Sequence, residues 1–483
     1  MRVQIRQLSI LFWSIMALRI ISIFLMPLTD TTEARYANTA LMMSNLNDWI
    51  TPFFKYNDPF LGKPPLAFWF EALSYKIFGI ADFVPRLPSM LITLATVWFI
   101  YKLVLTLHDR LGAILASIIY ISTTVVFILS GVVMTDAFLV FGTTLSLVSF
   151  LFVINGHKSY WRYLFFVGTG IGILTKGPLA LVIVGGILTL WILLDFKQRV
   201  ITLKLFPWVK GLLLMCAIFV PWYIAQEVKN PGFLYYFIVG ENLGRFLDTG
   251  WHGDKYGYVH KEPKGMIWIF WLVATMPWGI IASTFIVKNL QTIKQQKIVN
   301  FTKDINISFY LVWSIFIMIF FMLAGNVLWY YTLPSVGGFA ILLALFFSKN
   351  SGKNLSIYNK LFRNSSLFIP IVSIIALVFI MIKPNTIKTE KHLIQAYKNR
   401  VQKDEPIYFM GKTSFSAAYY MNTGKNLNSL TQKEYKEIVK NSKKRYFVVL
   451  NKNNLHQINI SGLKKIYTSK KYLLFEMQQG KNK

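Results

Sequence analysis

Within the ten residues DTTEARYANT, Asp30 to Thr39, the chain presents two carboxylates, an arginine and a tyrosine directly after an apolar run. A carboxylate at the mouth of a membrane helix is costly to keep dry and is usually kept there for a purpose, such as accepting a proton or orienting an attacking oxygen. The same spacing has a second reading. Asp30 followed three residues on by Glu33 suits a helix start, with Asp as N-cap and Glu folding back, and Asp30, Glu33 and Ala37 then share one face. Lys63 stands just before Pro64 and Pro65 in LGKPPLAFWFEALSYKIFG. The prolines suit the first turn of a helix on which Phe68, Trp69, Ala72 and Leu73 form an apolar stripe for lying in the membrane interface. Lys63 then either snorkels toward water or serves as a fixed cation for a lipid phosphate. Asp136 in VVMTDAFL and Lys176 in LTKGP stand at the ends of apolar runs, each either a site residue or an interfacial one.

The elements that must position these residues are membrane helices. Of 483 residues, 54% are hydrophobic and only 15% charged, with a mean hydropathy of +0.47, far from the mixture that covers a soluble globule. A net charge of +30 would suit nucleic acid, but no aromatic–basic RNA motif is present and the basic residues gather between apolar runs. Cys216 is the single cysteine, which excludes an internal disulfide and a cysteine-based metal centre. Apolar runs fall at 8–28, 84–107, 111–131, 134–154, 161–176, 178–195, 207–226, 266–288, 307–325, 328–347 and 367–383. At about 20 residues per bilayer crossing they predict about eleven spans. The first run is too long for a signal peptide and lacks a small-residue cleavage site, so it reads as a permanent helix.

Lysines and arginines fix the orientation. Arg2 and Arg6, Lys102 and Arg110, Lys158 and Arg162, and the groups at 197–204, 288–303 and 349–363 fall on one side if the spans alternate, and that side is cytoplasmic. The opposite side receives residues 30–83, the MTDA turn, TKGP, residues 227–265, AGN and the tail beyond residue 383. These external pieces hold nearly every unusual polar cluster. Residues 1–383 thus read as a transmembrane domain with an external loop at 30–83. In the tail 384–483, the strand-like runs PIYFMG, KRYFVVLN and KIYTSKKYLLFEM and the helical TQKEYKEIVKN predict a small external α/β domain.

The ordered motifs, from DTTEARYANTALMMSNLNDWITPFFKYNDPFLGKPPLAFWFEALSYKIFGIADFVPRLPS through MTDAFL, LTKGPLAL and PWYIAQEVKNPGFLYYFIVGENLGRFL to LWYYTLP, resemble the bacterial membrane-embedded GT-C glycosyltransferases. The chain is similar to the lipid A aminoarabinose transferases, akin to protein O-mannosyltransferases, over roughly residues 5–345. The resemblance implies a multi-pass protein of the bacterial inner (plasma) membrane with its active site facing the periplasm. It implies inverting transfer of a sugar, an amino sugar among the candidates, from a polyprenyl-phosphate donor to lipid A or a related acceptor; a protein or another glycan is the alternative acceptor. By motif, Asp30 and Asp136 take the catalytic carboxylate positions and Lys63 contacts the donor phosphate. Glu33, Arg35, Tyr36, Lys176, Glu241, Asn242 and Tyr331 become substrate-binding positions, with Arg35 suited to a phosphate.

The motifs also depart from the family. Gly62-Lys63-Pro64 stands where the aminoarabinose transferases read Glu-Lys-Pro, Glu241-Asn242 where they read Glu-His, and Gly325-Asn326-Val327-Leu328 where they read Lys-Gly-Lys-Leu. The lost carboxylate and imidazole argue for no metal and no cofactor, so Lys63, helped by Arg35 or Lys176, is expected to neutralise the leaving phosphate. The missing lysines leave sugar and acceptor open. His252, Asp254 and His260 lack ligand-like regularity. Arg19, in the middle of the first run, must pair with a polar group on a neighbouring helix. Trp329, Tyr330 and Tyr331 read as an interfacial belt or as the lining of a sugar pocket. A lipid or sugar transporter is the rival class, but it calls for repeat symmetry and broken helices with polar groups at mid-membrane depth, whereas the polar clusters here lie at external span ends.

Overall fold

The computed structural model describes residues 2–477 except 56, 249–252, 254, 258–261, 289–303, 351–354, 403–404, 423–426, 428, 442–444 and 458–461. His252, Asp254 and His260 lie outside the described residues. Two compact units are present: Met1–Ile23, Leu61–Phe70 and Arg86–Ile374 make the first, and Phe24–Phe60, Glu71–Pro85 and Ile375–Lys483 the second.

Among the described residues seven helices are long and apolar enough to cross a bilayer, and an eighth crossing results if the pair Met266–Ala274 and Trp278–Val287, bent by 114°, is one span. The other three of the eleven runs are shorter helices, Arg110–Ser122, Trp161–Lys176 and Leu179–Leu193. The run 111–131 is not continuous: Ser122, Thr123 and Thr124 interrupt it, with Ser122 and Thr123 bonding back to the carbonyls of Ile118 and Ile119. In 266–288 the break comes at Pro277, which has no amide proton and restricts the residue before it. Backbone freed inside an apolar layer must find a partner, and the two breaks satisfy each other. The amide and hydroxyl of Thr124 donate to the carbonyl of Met276 at 3.1 and 2.9 Å, and the Trp278 indole donates to Ser122 Oγ at 2.9 Å.

Arg19 finds its partners as expected. Its guanidinium donates to Ser22 Oγ, to Ser130 Oγ at 3.3 Å and to the carbonyl of Ile128 at the end of helix Thr124–Leu129. Gly131 makes room: a Cβ there would lie 2.5 Å from the arginine.

The antiparallel hairpin of Asp136–Ile154 and Trp161–Lys176 positions the site. Phe152 meets Trp161, Ser146 Oγ meets Thr169 Oγ1 at 3.0 Å, and Gly142 meets Gly168, so the register runs unbroken to Asp136 opposite Lys176. The helices touch backbone to backbone, since a Cβ on Gly168 would fall 2.5 Å from the Gly142 carbonyl. Small residues permit this close approach between membrane helices.

In the second unit, Leu28 to Asp30 are stitched to residues near 390 and 420. Leu28 N–H donates to the Tyr420 hydroxyl at 2.8 Å, Thr389 Oγ1 to the Leu28 carbonyl at 2.7 Å, and Asp30 N–H to the Lys388 carbonyl at 2.7 Å. The helix Thr32–Leu46 follows, then the short antiparallel pair β1 (Phe53–Lys55) and β2 (Asp58–Pro59). The tail forms a sheet of β3 (Ile407–Met410), β4 (Ser429–Leu430), β5 (Phe447–Asn451), β6 (Leu463–Thr468) and β7 (Tyr472–Met477) in the order 4-3-5-7-6. The pairs β3–β4 and β3–β5 are parallel, and β5–β7 and β6–β7 antiparallel. Central β5 is an unbroken apolar run because both its faces are covered: Phe447 and Val449 pack on Leu393 and Tyr397, while Val448 and Leu450 pack on Tyr435 and Phe475. The helix read in TQKEYKEIVKN is Gln432–Asn441.

One local expectation is corrected. Pro64 and Pro65 precede the helix Leu66–Phe78 rather than occupying its first turn, and Pro65 contributes its carbonyl to the Trp69 amide. Phe68 and Ala72 are fully buried, so the apolar face left outward is Phe70, Leu73 and Ile77.

The glycine contact yields a test. Gly168→Val should lower the thermal midpoint of the purified chain, in line with overpacking costs of roughly 1–3 kcal/mol. Gly185→Ala, whose Cβ would meet nothing within 4 Å, should be neutral or slightly stabilising. Equal effects of the two would show that the hairpin does not depend on backbone contact.

Candidate active site

Two ion-pair groups form in the first unit. Asp136 opens its helix and Lys176 closes the next, and the hairpin register brings Lys176 Nζ to 2.6 Å from Asp136 Oδ1 with both side chains nearly buried. The second group is built on a π-helix, Tyr235–Gly244. Its entry is fixed by Glu227, whose carboxylate accepts from the amides of Gly232 and Leu234 at 2.9 and 2.7 Å. In a π-helix residues five apart share a face, so the Tyr236 hydroxyl donates to Glu241 Oε1 at 3.1 Å and the Asn242 amide to the Phe237 carbonyl at 2.7 Å. Glu241 Oε2 then accepts from both Lys63, at 3.4 Å, and Arg245, at 3.2 Å. Burial works against the Glu241 charge, but Lys63 and Arg245 outweigh it and hold the carboxyl below its ordinary range.

The two groups converge on one ring. Lys176 Nζ lies 5.4 Å from the centroid of Tyr331, whose hydroxyl feels the charges of Arg245, Lys63, Asp136 and Glu241. Gly177, at φ +70, lets the TKGP turn close on the π-helix: a Cβ there would strike the Phe237 ring at 2.5 Å. Beside the cluster is a cavity of about 420 Å³ whose walls include Leu61, Tyr236, Gly240 and Lys255. Lys63, Asp136, Lys176, Glu241 and Tyr331, chosen from sequence, are thus gathered in the first unit, and Tyr331 sits among site charges as well as beside Phe321. Asn242 spends its amide on the helix itself. Arg245 was missed; its signal was the spacing of four from Glu241.

Asp30, Glu33, Arg35 and Tyr36 belong to the second unit. Asp30 does not cap the following helix, whose N-cap is Thr31 without a side-chain cap bond. Its carboxylate instead accepts from the Ser416 amide at 2.9 Å and from the Ser416 hydroxyl. Glu33 does fold back, but onto the amide and hydroxyl of Thr29 at 3.0 and 2.9 Å. The Arg35 guanidinium lies over the rings of Tyr36 and Phe60, at 5.1 and 5.8 Å. Burial raises the Asp30 carboxyl above its ordinary value, opposed by the Ser416 bonds. A second carboxyl, Glu390, has its amide on Ser416 Oγ at 3.0 Å and a buried Oε2 without a hydrogen-bond partner. Burial, and to a lesser degree the charge of Asp30, push Glu390 up to about 7, against a bond from Ser469 and the charges of Lys452 and Lys471.

A raised carboxyl stabilises the fold below its unfolded value, and the contribution is lost as pH rises through the folded one. For Glu390 that window runs from the ordinary 4.5 to about 7. The thermal midpoint attributable to it should therefore fall between pH 5 and pH 8, and Glu390→Gln should flatten the decline. Parallel pH profiles for wild type and variant would refute the assignment.

Residues 62–224 match the family described as dolichyl-phosphate-mannose-protein mannosyltransferase. The chain is 28% identical over 326 residues to the undecaprenyl phosphate-α-4-amino-4-deoxy-L-arabinose arabinosyl transferase of Aeromonas hydrophila subsp. hydrophila, covering 66% of this chain and 56% of that protein. The transferase of the same description from Yersinia pestis is 26% identical over 348 residues, covering 69% and 58%. The matched region thus spans little more than half the length of these relatives. The crystal structure of ArnT from Cupriavidus metallidurans bound to undecaprenyl phosphate superposes with a TM-score of 0.77 at 14% identity over 97% of both chains. Its apo form gives 0.76 at 15%. The chain is therefore a multi-pass membrane protein of the GT-C fold, similar to the lipid A aminoarabinose transferases.

Proposed function

We propose that the chain transfers a sugar, with inversion, from a polyprenyl-phosphate donor to lipid A or a related acceptor on the periplasmic face of the bacterial inner membrane, where the tail domain also lies. The observation that carries this reading is the meeting of Lys63 and Arg245 on the single buried carboxylate Glu241, with the matching relatives named for an undecaprenyl-phosphate sugar. Two cations held close together by one carboxylate are prepared for the donor's singly charged phosphodiester and for the leaving monoester, whose charge is about −1.5 to −2.

In the reaction the bond between the sugar C1 and the phosphate oxygen breaks and its electron pair leaves with the phosphate. The acceptor oxygen forms a new bond to C1 from the opposite face and loses its proton. Charge grows on the phosphate as the transition state forms, so cations aimed there stabilise the transition state more than the ground state. Lys63 and Arg245 take this role. Asp136 holds Lys176 beside Tyr331, where the pair meets the sugar. Asp30 is assigned to the acceptor, as proton acceptor or, for an acceptor already ionised, as an orienting charge. Glu33, Arg35 and Tyr36 are assigned as its supports, and no metal is assigned to either unit.

Purified chain with labelled undecaprenyl-phosphate aminoarabinose and lipid A tests the reading. Lys63→Ala should reduce turnover by at least about a hundredfold, the loss seen when one transition-state donor is removed. Lys63→Arg should retain part of it, because charge survives while reach changes. Asp30→Asn should abolish transfer while the protein still inserts and folds. Activity should persist after exhaustive chelation. A loss on chelation restored by one divalent ion, together with a near-normal Lys63→Ala, would overturn the cation-only mechanism.

A further inference from the structure

The second unit contains a cavity that none of these roles uses. It measures about 760 Å³, within the roughly 300–1,000 Å³ common for small-molecule sites. One wall is a face of the helix Thr32–Leu46, with Asn38, Leu41, Met42 and Asn45 spaced three and four apart. The opposite wall is the connection after β3, from Gly411 to Phe415, closed by Ser429 of β4.

The lining is selective in three respects. Among the described residues it contains two lysines, Lys55 and Lys412, and no aspartate or glutamate. Neither lysine is paired with a carboxylate among the described residues; Lys55 Nζ has only the Phe54 ring, at 6.0 Å. Second, Asn38 is about nine-tenths buried, and among the described residues its amide nitrogen donates to Met42 Sδ, at 4.0 Å, a weak acceptor. Third, Phe54 and Phe415 form an edge-to-face pair at 5.2 Å on the rim, and Tyr408 adds a half-buried phenol. Flat aromatic faces cover the apolar C–H faces of a sugar, amides bond its hydroxyls, and unpaired ammonium groups attract an anion. A neutral sugar has no use for the two lysines, and an inorganic anion has none for the rings and the weakly bonded amide.

We infer that this cavity binds a phosphorylated saccharide, with Lys55 and Lys412 on the phosphate, Asn38 on a hydroxyl and the Phe54–Phe415 pair against the ring. The use of the cavity as a docking site for the acceptor's sugar portion rests on the glycosyltransferase reading; the binding does not. The helix Phe415–Met421 that borders the cavity also carries Ser416, the residue that holds Asp30.

The test is calorimetric titration of the full-length purified chain with a bisphosphorylated glucosamine disaccharide lacking acyl chains. The unphosphorylated disaccharide and inorganic phosphate serve as separate arms. The phosphorylated sugar should bind at least tenfold more tightly than either, and binding should weaken with salt. Lys55→Glu with Lys412→Glu should weaken it at least tenfold, whereas Lys464→Glu with Lys465→Glu, an equal change of net charge on exposed β6 outside the cavity, should not. If the double charge reversal lowers the thermal midpoint, Lys55→Gln with Lys412→Gln takes its place, and the same loss is expected. Equal binding of both disaccharides, equal binding of phosphate alone, or binding indifferent to the cavity lysines would each overturn the inference. Because no turnover is measured, a chain inactive in transfer that still binds the phosphorylated sugar would refute the reaction and leave this site standing.

Discussion

A charge taken out of water must be met by an opposite charge or by hydrogen bonds, and this requirement organises the first unit. Lys176 is held by Asp136, and Lys63 and Arg245 share Glu241. Removing one partner of a buried pair costs about 3–5 kcal/mol because the other is left uncompensated. The geometry that brings the partners together is therefore under strong constraint. The glycine-to-glycine hairpin exists to set Asp136 against Lys176, and the π-helix to turn Tyr236 and Glu241 onto one face. In the proposed reaction the donor phosphodiester, of single negative charge, shares the two cations with Glu241, so that two positive charges meet two negative ones.

The second unit obeys a related constraint with the opposite balance. Asp30 and Glu390 are both turned toward Ser416, one through its carboxylate and the other through its amide. Burial favours the protonated form of Asp30 and Glu390, against the Ser416 bonds to Asp30 and the charge of Lys471, whereas at Glu241 two cations on one carboxylate outweigh burial and favour the charged form. The chain thus shifts Asp30 up and Glu241 down by environment alone. Such a separation is what a reaction with one proton-accepting and one charge-holding step calls for.

Much of this was legible in the sequence because charges are rare in so apolar a chain. Asp136, Lys176, Lys63 and Glu241 stand out against their surroundings, and Arg19 had to have a partner on another helix. The strands of the tail followed from short strand-like runs. Other features rest on distance that periodicity does not carry. Ser416 lies 386 residues from Asp30, so nothing local distinguished a helix cap from a tether. Arg245 stood four residues from Glu241, but only the neighbouring Asn242 drew notice, since π-winding is not visible in spacing. The breaks at Thr123 and Pro277 fall inside runs read as continuous, because hydropathy does not register them, and that they satisfy each other's backbone is a tertiary fact.

The most direct measurement is the 31P resonance of undecaprenyl phosphate in detergent micelles, followed through a pH titration with and without the purified chain. Two cations fixed on the phosphate must lower its second ionisation, which is about pKa 6 for a free phosphate monoester. The account predicts a bound resonance whose titration midpoint lies at lower pH, that returns to the micelle value with Lys63→Ala combined with Arg245→Ala. Unchanged titration in the presence of the wild-type chain, or a shift that survives the loss of both cations, would contradict it.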